Sequence, residues 1–210
     1  MNNDLTDITI LIDRSGSMLS CKDDAQGGIN TFIQQQKDAE GDAVFSLVQF
    51  DTDYEIVHNG IPIKDVPQYI LQPRGMTSLL DAVGTAINKT GDRLNKMVEA
   101  TRPGCVVFVI VTDGHENSSK EFTNEQVKEM IKCQQSKYNW QFTFLGADAQ
   151  SFDEARQLGI KADAIATYDK QKAGKAFFAA SSNVCRMRSA SRCGAEVDNS
   201  YTEEERINIS

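Results

Sequence analysis

Three short groups of oxygen-bearing residues stand where the apolar pattern of the chain stops. They are Asp13-Arg14-Ser15-Gly16-Ser17, then Thr77 in a glycine-containing loop, and then Thr112-Asp113-Gly114. Hydroxyl and carboxylate oxygens together suit a hard cation, above all Mg²⁺, with Mn²⁺ or Ca²⁺ as substitutes. If the neutral hydroxyls contact the ion and the carboxylates act through water, one octahedral position stays open for an outside anion. The three groups therefore predict a divalent-cation site.

The elements that must bring these groups together alternate along the chain. Short apolar or β-rich runs predict strands at 8–12, 43–50, 106–111, 141–145 and 164–168. Helical stretches lie between them, at 23–37, 78–97, 124–138, 151–158 and 171–189. Strands that are apolar on both faces are typical of a parallel sheet covered on both sides. The pattern predicts an α/β fold with a doubly wound, mostly parallel, Rossmann-like sheet of about six strands flanked by helices.

This fold would place the polar groups at one edge of the sheet. In an open parallel sheet, the ligand crevice lies at the carboxyl ends of the strands, where the strand order reverses. If strands 8–12 and 106–111 are neighbours there, Asp13 and Asp113 face one another. Segment 51–63 predicts the one antiparallel edge strand, because its Asn59-Gly60 pair is a tight-turn signal that would join two antiparallel strands.

Length and composition limit the domain organisation. The chain has 210 residues, which corresponds to one domain with a short extension. Residues 1–190 are predicted to form that domain. Residues 191–210 contain few large apolar side chains and an acidic cluster, and are predicted to be a mobile C-terminal tail.

Charge and cysteine content exclude several classes of function. There are 22 Lys and Arg against 30 Asp and Glu, a net charge of −8, which argues against binding to nucleic-acid phosphates. The apolar runs are too short to cross a bilayer, so no membrane association is expected. The first residues lack a basic region of the signal-peptide type, so we expect a cytoplasmic protein. The 5 cysteines are expected to be reduced thiols, since none are paired at metal or redox spacing.

The polar groups resemble the metal-ion-dependent adhesion site of the von Willebrand factor A family, also called integrin I-like domains. The match in residue type, order and approximate spacing extends over roughly residues 5–189, and the first strand, ITILIDRSGSM, looks like the stand-alone bacterial or phage versions. The resemblance implies that Ser15, Ser17 and Thr77 bind the ion directly. It implies that Asp13 and Asp113 act through water.

The expected function is divalent-cation-dependent protein binding without enzymatic activity. A bound Mg²⁺ would accept an Asp or Glu carboxylate from a partner protein, and the resemblance implies that the partner complex could include an ATPase. One alternative is a metal-dependent hydrolase or phosphatase that uses Asp13, since such enzymes also begin with an aspartate after the first strand. A second alternative is an assembly subunit in which the ion is merely structural.

Residues beside the predicted ligands are candidates for a partner-binding rim. They are Arg14, Met18, Met76 and His115. Each also has an ordinary explanation: Arg14 could balance nearby carboxylates, the methionines could pack under the loops, and His115 could orient a neighbouring group. Taken singly, the predicted ligands could likewise be turn or helix-capping residues. Their joint placement favours the site.

Overall fold

The computed structural model describes residues 1–210 and forms one sheet between two layers of helices. The strands are β1 Asn2–Asp13, β2 Asp42–Phe50, β3 Tyr54–Pro62, β4 Pro103–Thr112, β5 Gln141–Gly146 and β6 Ile165–Thr167. The helices are α1 Lys22–Asp38, α2 Leu79–Asn95, α3 Asn124–Tyr138, α4 Ala149–Gln157, α5 Ala173–Arg192 and α6 Glu203–Ile209. The strand order is β3-β2-β1-β4-β5-β6, with every neighbouring pair parallel except β2 and β3. The predicted doubly wound fold with one antiparallel edge strand is confirmed.

The central strands are apolar on both faces because each face is covered. In β4, Val107, Val109 and Val111 join the core that also contains α1 and α5 side chains. Phe108 and Ile110, between them, join the second core, which contains side chains of α2, α3 and α4. Since neighbouring residues of a strand point to opposite faces, a strand buried on both sides reads as an unbroken apolar run.

The turn between β2 and β3 lies earlier than the sequence predicted. Residues Asn59-Gly60 are inside β3, where Gly60 has φ +63° beside a shift in strand register, and its N–H donates to Ser46 Oγ at 2.9 Å. The chain reverses instead at Asp51, whose carboxylate accepts a hydrogen bond from the Asp53 N–H at 2.7 Å. An aspartate that bonds the backbone two residues ahead makes a turn without Asn-Gly. The Asn-Gly turn prediction is therefore wrong, and Gly60 lies instead at a β-bulge within β3.

Residues 191–210 differ from the mobile tail that the sequence predicted. Tyr201 and Ile209 are buried, and the Asn199 side chain donates to the Phe142 carbonyl of β5 at 3.0 Å. The Tyr201 N–H donates to the Asp163 carbonyl at 2.8 Å. Two buried apolar side chains and a few hydrogen bonds to backbone carbonyls fix the segment against the sheet edge. Its polar composition alone does not predict this packing.

Two further features bear on the sequence expectations. None of the helices is both long and apolar enough to cross a membrane. All 5 cysteines carry free thiols, and Cys21 and Cys105 are buried.

Candidate metal centre

Three adjacent strands end in or beside an aspartate. β1 ends at Asp13, β2 is followed by Asp51 and β4 by Thr112-Asp113, and β1 lies between the other two strands. Because β1 and β4 are parallel and pair up to Ile12 and Val111, Asp13 and Asp113 emerge side by side. The structure thus brings together the two carboxylates that the sequence placed at this edge.

Asp13 is fully buried and held by hydrogen bonds rather than by a basic group. Its Oδ1 accepts from the Ser15 N–H at 2.6 Å, and its Oδ2 accepts from Thr112 Oγ1 at 2.6 Å. Burial raises the pKa of Asp13 to about 6, although the hydrogen bonds from Thr112 and Ser15 oppose the rise and the nearby charge of Asp113 adds to it. The ionised form of Asp13 would therefore be stabilised by a cation.

A chain of hydrogen bonds links the two serines to the second carboxylate. Ser15 Oγ lies 2.9 Å from Ser17 Oγ, and Ser17 Oγ donates to Asp113 Oδ1 at 2.6 Å. The other oxygen of Asp113, Oδ2, accepts from Lys170 Nζ at 2.7 Å. Ser17 is exposed whereas Ser15 and Asp113 are buried, so the cluster opens to solvent on the Ser17 side.

Thr77 approaches the same cluster from the loop before α2. A methyl group placed on the Gly114 α-carbon would lie 2.8 Å from Thr77 Oγ1, 3.2 Å from Ser17 Oγ and 3.3 Å from Asp13 Oδ2. Oxygens from two separate segments of the chain, 13–17 and the Thr77 loop, therefore border one small space that only glycine leaves free. Thr77, Ser17 and Asp13 border it, while Ser15 and Asp113 join the same cluster through their contacts with Ser17.

Backbone hydrogen bonds fix the loops that carry these groups. The Gly16 N–H donates to the Gly75 carbonyl at 3.1 Å, and Gly75 itself has φ +70°, which favours glycine. Asn117 holds Thr77 from both sides, since its side-chain oxygen accepts from the Thr77 N–H at 3.0 Å and its N–H donates to the Thr77 carbonyl at 3.0 Å. The position of the Thr77 hydroxyl is thus set by neighbouring loops.

The predicted rim is only partly exposed. Arg14 is buried: its Nε lies 2.9 Å from Asp51 Oδ2 and its Nη1 2.8 Å from Glu55 Oε2. Met18 is also buried, in the core on the α1 side. Rim roles for these two are wrong, because tertiary neighbours enclose both side chains.

The other two rim candidates have different surroundings. Met76 is 51% exposed. His115 is partly buried between two carboxylates, with Nε2 at 3.2 Å from Asp148 Oδ2 and Nδ1 at 3.4 Å from Glu154 Oε1. Of the four rim candidates, only Met76 is therefore a freely exposed apolar group.

Sequence reasoning did not assign Lys170 to the cluster. Its ammonium group nevertheless contacts Asp113. One signal could have found it, because Lys170 follows the predicted strand 164–168 and so lies at the same edge of the sheet.

The donor set fits a hard divalent cation. Nowhere in the molecule do three or more His, Cys, Asp or Glu side chains lie grouped to hold a metal ion. Here, however, hydroxyls of Ser15, Ser17 and Thr77 stand beside two carboxylates, and oxygen donors of this kind are what Mg²⁺, Mn²⁺ and Ca²⁺ prefer.

Solved structures of several kinds share the fold. Proximal thread matrix protein 1 of the mussel byssus superposes with a TM-score of 0.62 at 13% identity, over 82% of this chain and 46% of its own. A von Willebrand factor type A protein from Catenulispora acidiphila gives 0.58 at 16% identity, over 89% and 42%. This chain therefore spans less than half the length of either protein.

A third structure matches over nearly its whole length. The vWF domain of the type V pili tip protein Mfa5 from Porphyromonas gingivalis gives a TM-score of 0.62 at 11% identity, over 85% of this chain and 94% of its own. No curated protein sequence matches the chain. The profile of the family described as von Willebrand factor type A domain, however, matches residues 7–183. The chain therefore belongs to the von Willebrand factor A family of protein-interaction domains.

Proposed function

We propose that this domain binds a partner protein through a divalent cation, Mg²⁺ in the first instance, held at the Ser15, Ser17 and Thr77 hydroxyls. The observation that carries the proposal is the convergence of oxygens from Thr77, Ser17 and Asp13 on the space beside Gly114. A bound ion of this kind would supply a positive centre with affinity for an Asp or Glu carboxylate of the partner.

The chain's own residues have separate tasks in this proposal. The hydroxyls are neutral donors, so they add no negative charge that would repel an incoming carboxylate. Asp13 and Asp113 compensate the positive charge from behind, and each is already oriented by hydrogen bonds, from Thr112 and Ser17 respectively. Asn117 keeps the Thr77 loop in place.

Hydrolysis with Asp13 as nucleophile has less support. Both oxygens of Asp13 accept hydrogen bonds at 2.6 Å, and the residue is fully buried. A nucleophile must reach the reacting atom of the substrate, and a fully buried carboxylate fixed at both oxygens has little freedom to do so. Asp13 is better suited to hold a charge in place.

Metal binding tests the first half of the proposal. Calorimetric titration of Mg²⁺ and Mn²⁺ into the native protein should show one saturable site. Ser17→Ala should weaken binding about 10-fold or more, since it removes a donor while the exposed position leaves the fold intact. The matched control is Ser20→Ala, because the Ser20 hydroxyl bonds only the Ser17 carbonyl, at 3.1 Å. Equal affinities for Ser17→Ala and native protein would contradict the proposed ligand set.

Partner capture tests the second half. The immobilised protein should retain a binding protein from host extract in Mg²⁺ and release it on addition of EDTA. The Ser17→Ala variant should retain less of it at the same Mg²⁺ concentration. Retention that is unaffected by EDTA and by Ser17→Ala would contradict cation-dependent binding. If EDTA instead changed the oligomeric state and left capture unchanged, the ion would be structural.

A further inference from the structure

Lys170 is the one basic side chain in contact with the proposed metal centre. It begins the 3-10 turn Lys170–Lys172 after β6, and its Nζ lies 2.7 Å from Asp113 Oδ2. The Asp113 side chain is fully buried, whereas that of Lys170 is 40% exposed. The ammonium group therefore covers a carboxylate that has no other cation beside it, and still faces solvent.

The backbone on both sides of Lys170 is fixed. The Tyr168 N–H donates to the Gly146 carbonyl at 2.9 Å, and the Asp169 N–H donates to the Ile209 carbonyl at 2.9 Å. Asp169 then caps the turn by accepting from the Gln171 N–H at 2.9 Å. Ile209 is buried, so the C-terminal segment anchors the turn that places Lys170 at the centre.

We infer that Lys170 is a built-in cation that competes with divalent ions for Asp113 and strengthens the loaded site's attraction for a carboxylate. The inference deepens the proposed function and rests on it. Its basis is the charge of the cluster. Two ionised aspartates and one ammonium leave a single net negative charge, which a divalent ion would turn into a single positive charge. Without the lysine, the loaded cluster would be neutral.

A single substitution should therefore have opposite effects on the two binding steps. Lys170→Met removes the ammonium group and keeps an unbranched side chain that is only one atom shorter. Mn²⁺ should bind about three- to tenfold more tightly to this variant, because the competing charge is gone. Acetate, used as the carboxylate probe, should raise the Mn²⁺ affinity of the native protein and raise that of Lys170→Met less, at matched ionic strength.

Two variants control for side-chain bulk and overall charge. Lys170→Arg keeps the charge and should restore native Mn²⁺ affinity and the native acetate effect to within about twofold. Lys175→Met makes the same change in net charge on α5, at an exposed lysine that forms no ion pair, and should leave both quantities unchanged.

A metal-free measurement separates competition from simple structural support. In EDTA, Lys170→Met should unfold at a lower temperature than the native protein, since Asp113 stays buried without a cation. Added Mg²⁺ should then raise its unfolding temperature by more than it raises that of the native protein. If Lys170 only supported the loop, Lys170→Met would lower both the unfolding temperature and the metal affinity of the protein.

The outcomes are distinguishable. Tighter Mn²⁺ binding with a smaller acetate effect supports the inference. Weaker or unchanged Mn²⁺ binding in Lys170→Met, or an acetate effect as large as in native protein, overturns it. If the native protein binds no divalent ion and Ser17→Ala changes nothing, the proposed function fails as well. If Ser17→Ala weakens binding but Lys170→Met matches native protein, only the role of Lys170 fails.

Discussion

Asp13 ends β1, and Asp51 follows β2, the neighbouring parallel strand. Both aspartates are buried, but their partners differ. Asp51 Oδ2 lies 2.9 Å from Arg14 Nε and 2.8 Å from Arg74 Nε. Asp13 has only hydrogen-bond donors, from Thr112 and Ser15. We call the first group the arginine cluster, comprising Asp51, Arg14 and Arg74, and the second the oxygen cluster, comprising Asp13, Ser15, Ser17, Thr77 and Asp113.

The pKa shifts of the two aspartates follow from this difference. Burial by itself would raise the pKa of Asp51, but hydrogen bonds from Arg74 and the Asp53 N–H, with the charges of Arg14 and Arg74, lower it below its usual value. Burial raises the pKa of Asp13 to about 6, because hydroxyl and amide donors offset less of the cost. The arginine cluster carries its counter-ions within the chain, whereas no basic side chain contacts Asp13 in the oxygen cluster.

The arginine cluster also supports the oxygen cluster. The Arg74 N–H donates to the Arg14 carbonyl at 2.7 Å, and the Ser78 N–H donates to the Asp51 carbonyl at 2.9 Å. These bonds fix both ends of the loop that carries Thr77. The paired charges of the arginine cluster thus hold the Thr77 loop in place, whereas the negative charge of the oxygen cluster is only partly balanced. The comparison predicts that the first cluster governs stability and the second governs metal binding.

Asp51→Asn should give the largest effect. It leaves the buried Arg14 guanidinium with only the half-exposed Glu55 as a counter-ion. Breaking a buried pair by removing one partner costs about 3–5 kcal/mol, so urea denaturation in EDTA should show a loss of unfolding free energy near the lower end of that range. Asp53→Asn is the control, since its side chain is 75% exposed and lies 3.6 Å from Arg74. A loss as small as that of the control would show that Glu55 alone satisfies Arg14.

Gly114→Ala should act mainly on metal binding. The added methyl group would lie 2.8 Å from Thr77 Oγ1 and would displace that hydroxyl from the oxygen cluster. We expect Mn²⁺ affinity measured by calorimetry to fall about 10- to 100-fold, and unfolding free energy in EDTA to fall by about 1 kcal/mol from overpacking.

The control for Gly114→Ala is Gly27→Ala in α1. A methyl group there meets nothing within 4 Å, and alanine should stabilise the helix by about 0.5–1 kcal/mol. Native Mn²⁺ affinity in Gly114→Ala would mean that the space beside Gly114 is not the metal position. A stability loss as large as that of Asp51→Asn would remove the contrast between the two clusters.

The sequence predicts the parts of the site that depend on strand periodicity. Asp13 and Asp113 each come at the end of an apolar run, and parallel strands bring their carboxyl ends to one edge, so their meeting follows from pattern alone. The meeting of the Ser15 and Ser17 hydroxyls follows in the same way, because they share one short loop with Asp13. Local pattern and global fold agree at these positions.

The contacts of Arg14 and Lys170 and the packing of the C-terminal segment do not follow from strand pattern, although the pattern does place Lys170 at the right edge of the sheet. The position of Arg14 depends on Asp51 and Glu55, which flank the β2–β3 turn, and the sequence misplaced that turn at Asn59-Gly60. Lys170 depends on an anchor, Ile209, that lies about 40 residues further along the chain. A long side chain can reach several partners, and tertiary packing determines which one it contacts. A short window of sequence does not contain that information.

Arg74→Ala should give the smallest effect and separates the two arginines of the arginine cluster. Arg74 is 59% exposed, so its ion pair with Asp51 is partly screened by solvent and is worth about 1 kcal/mol or less. The loss of unfolding free energy should shrink further in high salt, because exposed charges are screened there. A salt-independent loss equal to that of Asp51→Asn would mean that Arg74 is the essential counter-ion. A small, salt-sensitive loss would mean that Arg14 is the essential counter-ion of Asp51. Because Arg14 lies between Asp13 and Ser15 in the chain, the stability of the arginine cluster is then coupled to the geometry of the oxygen cluster.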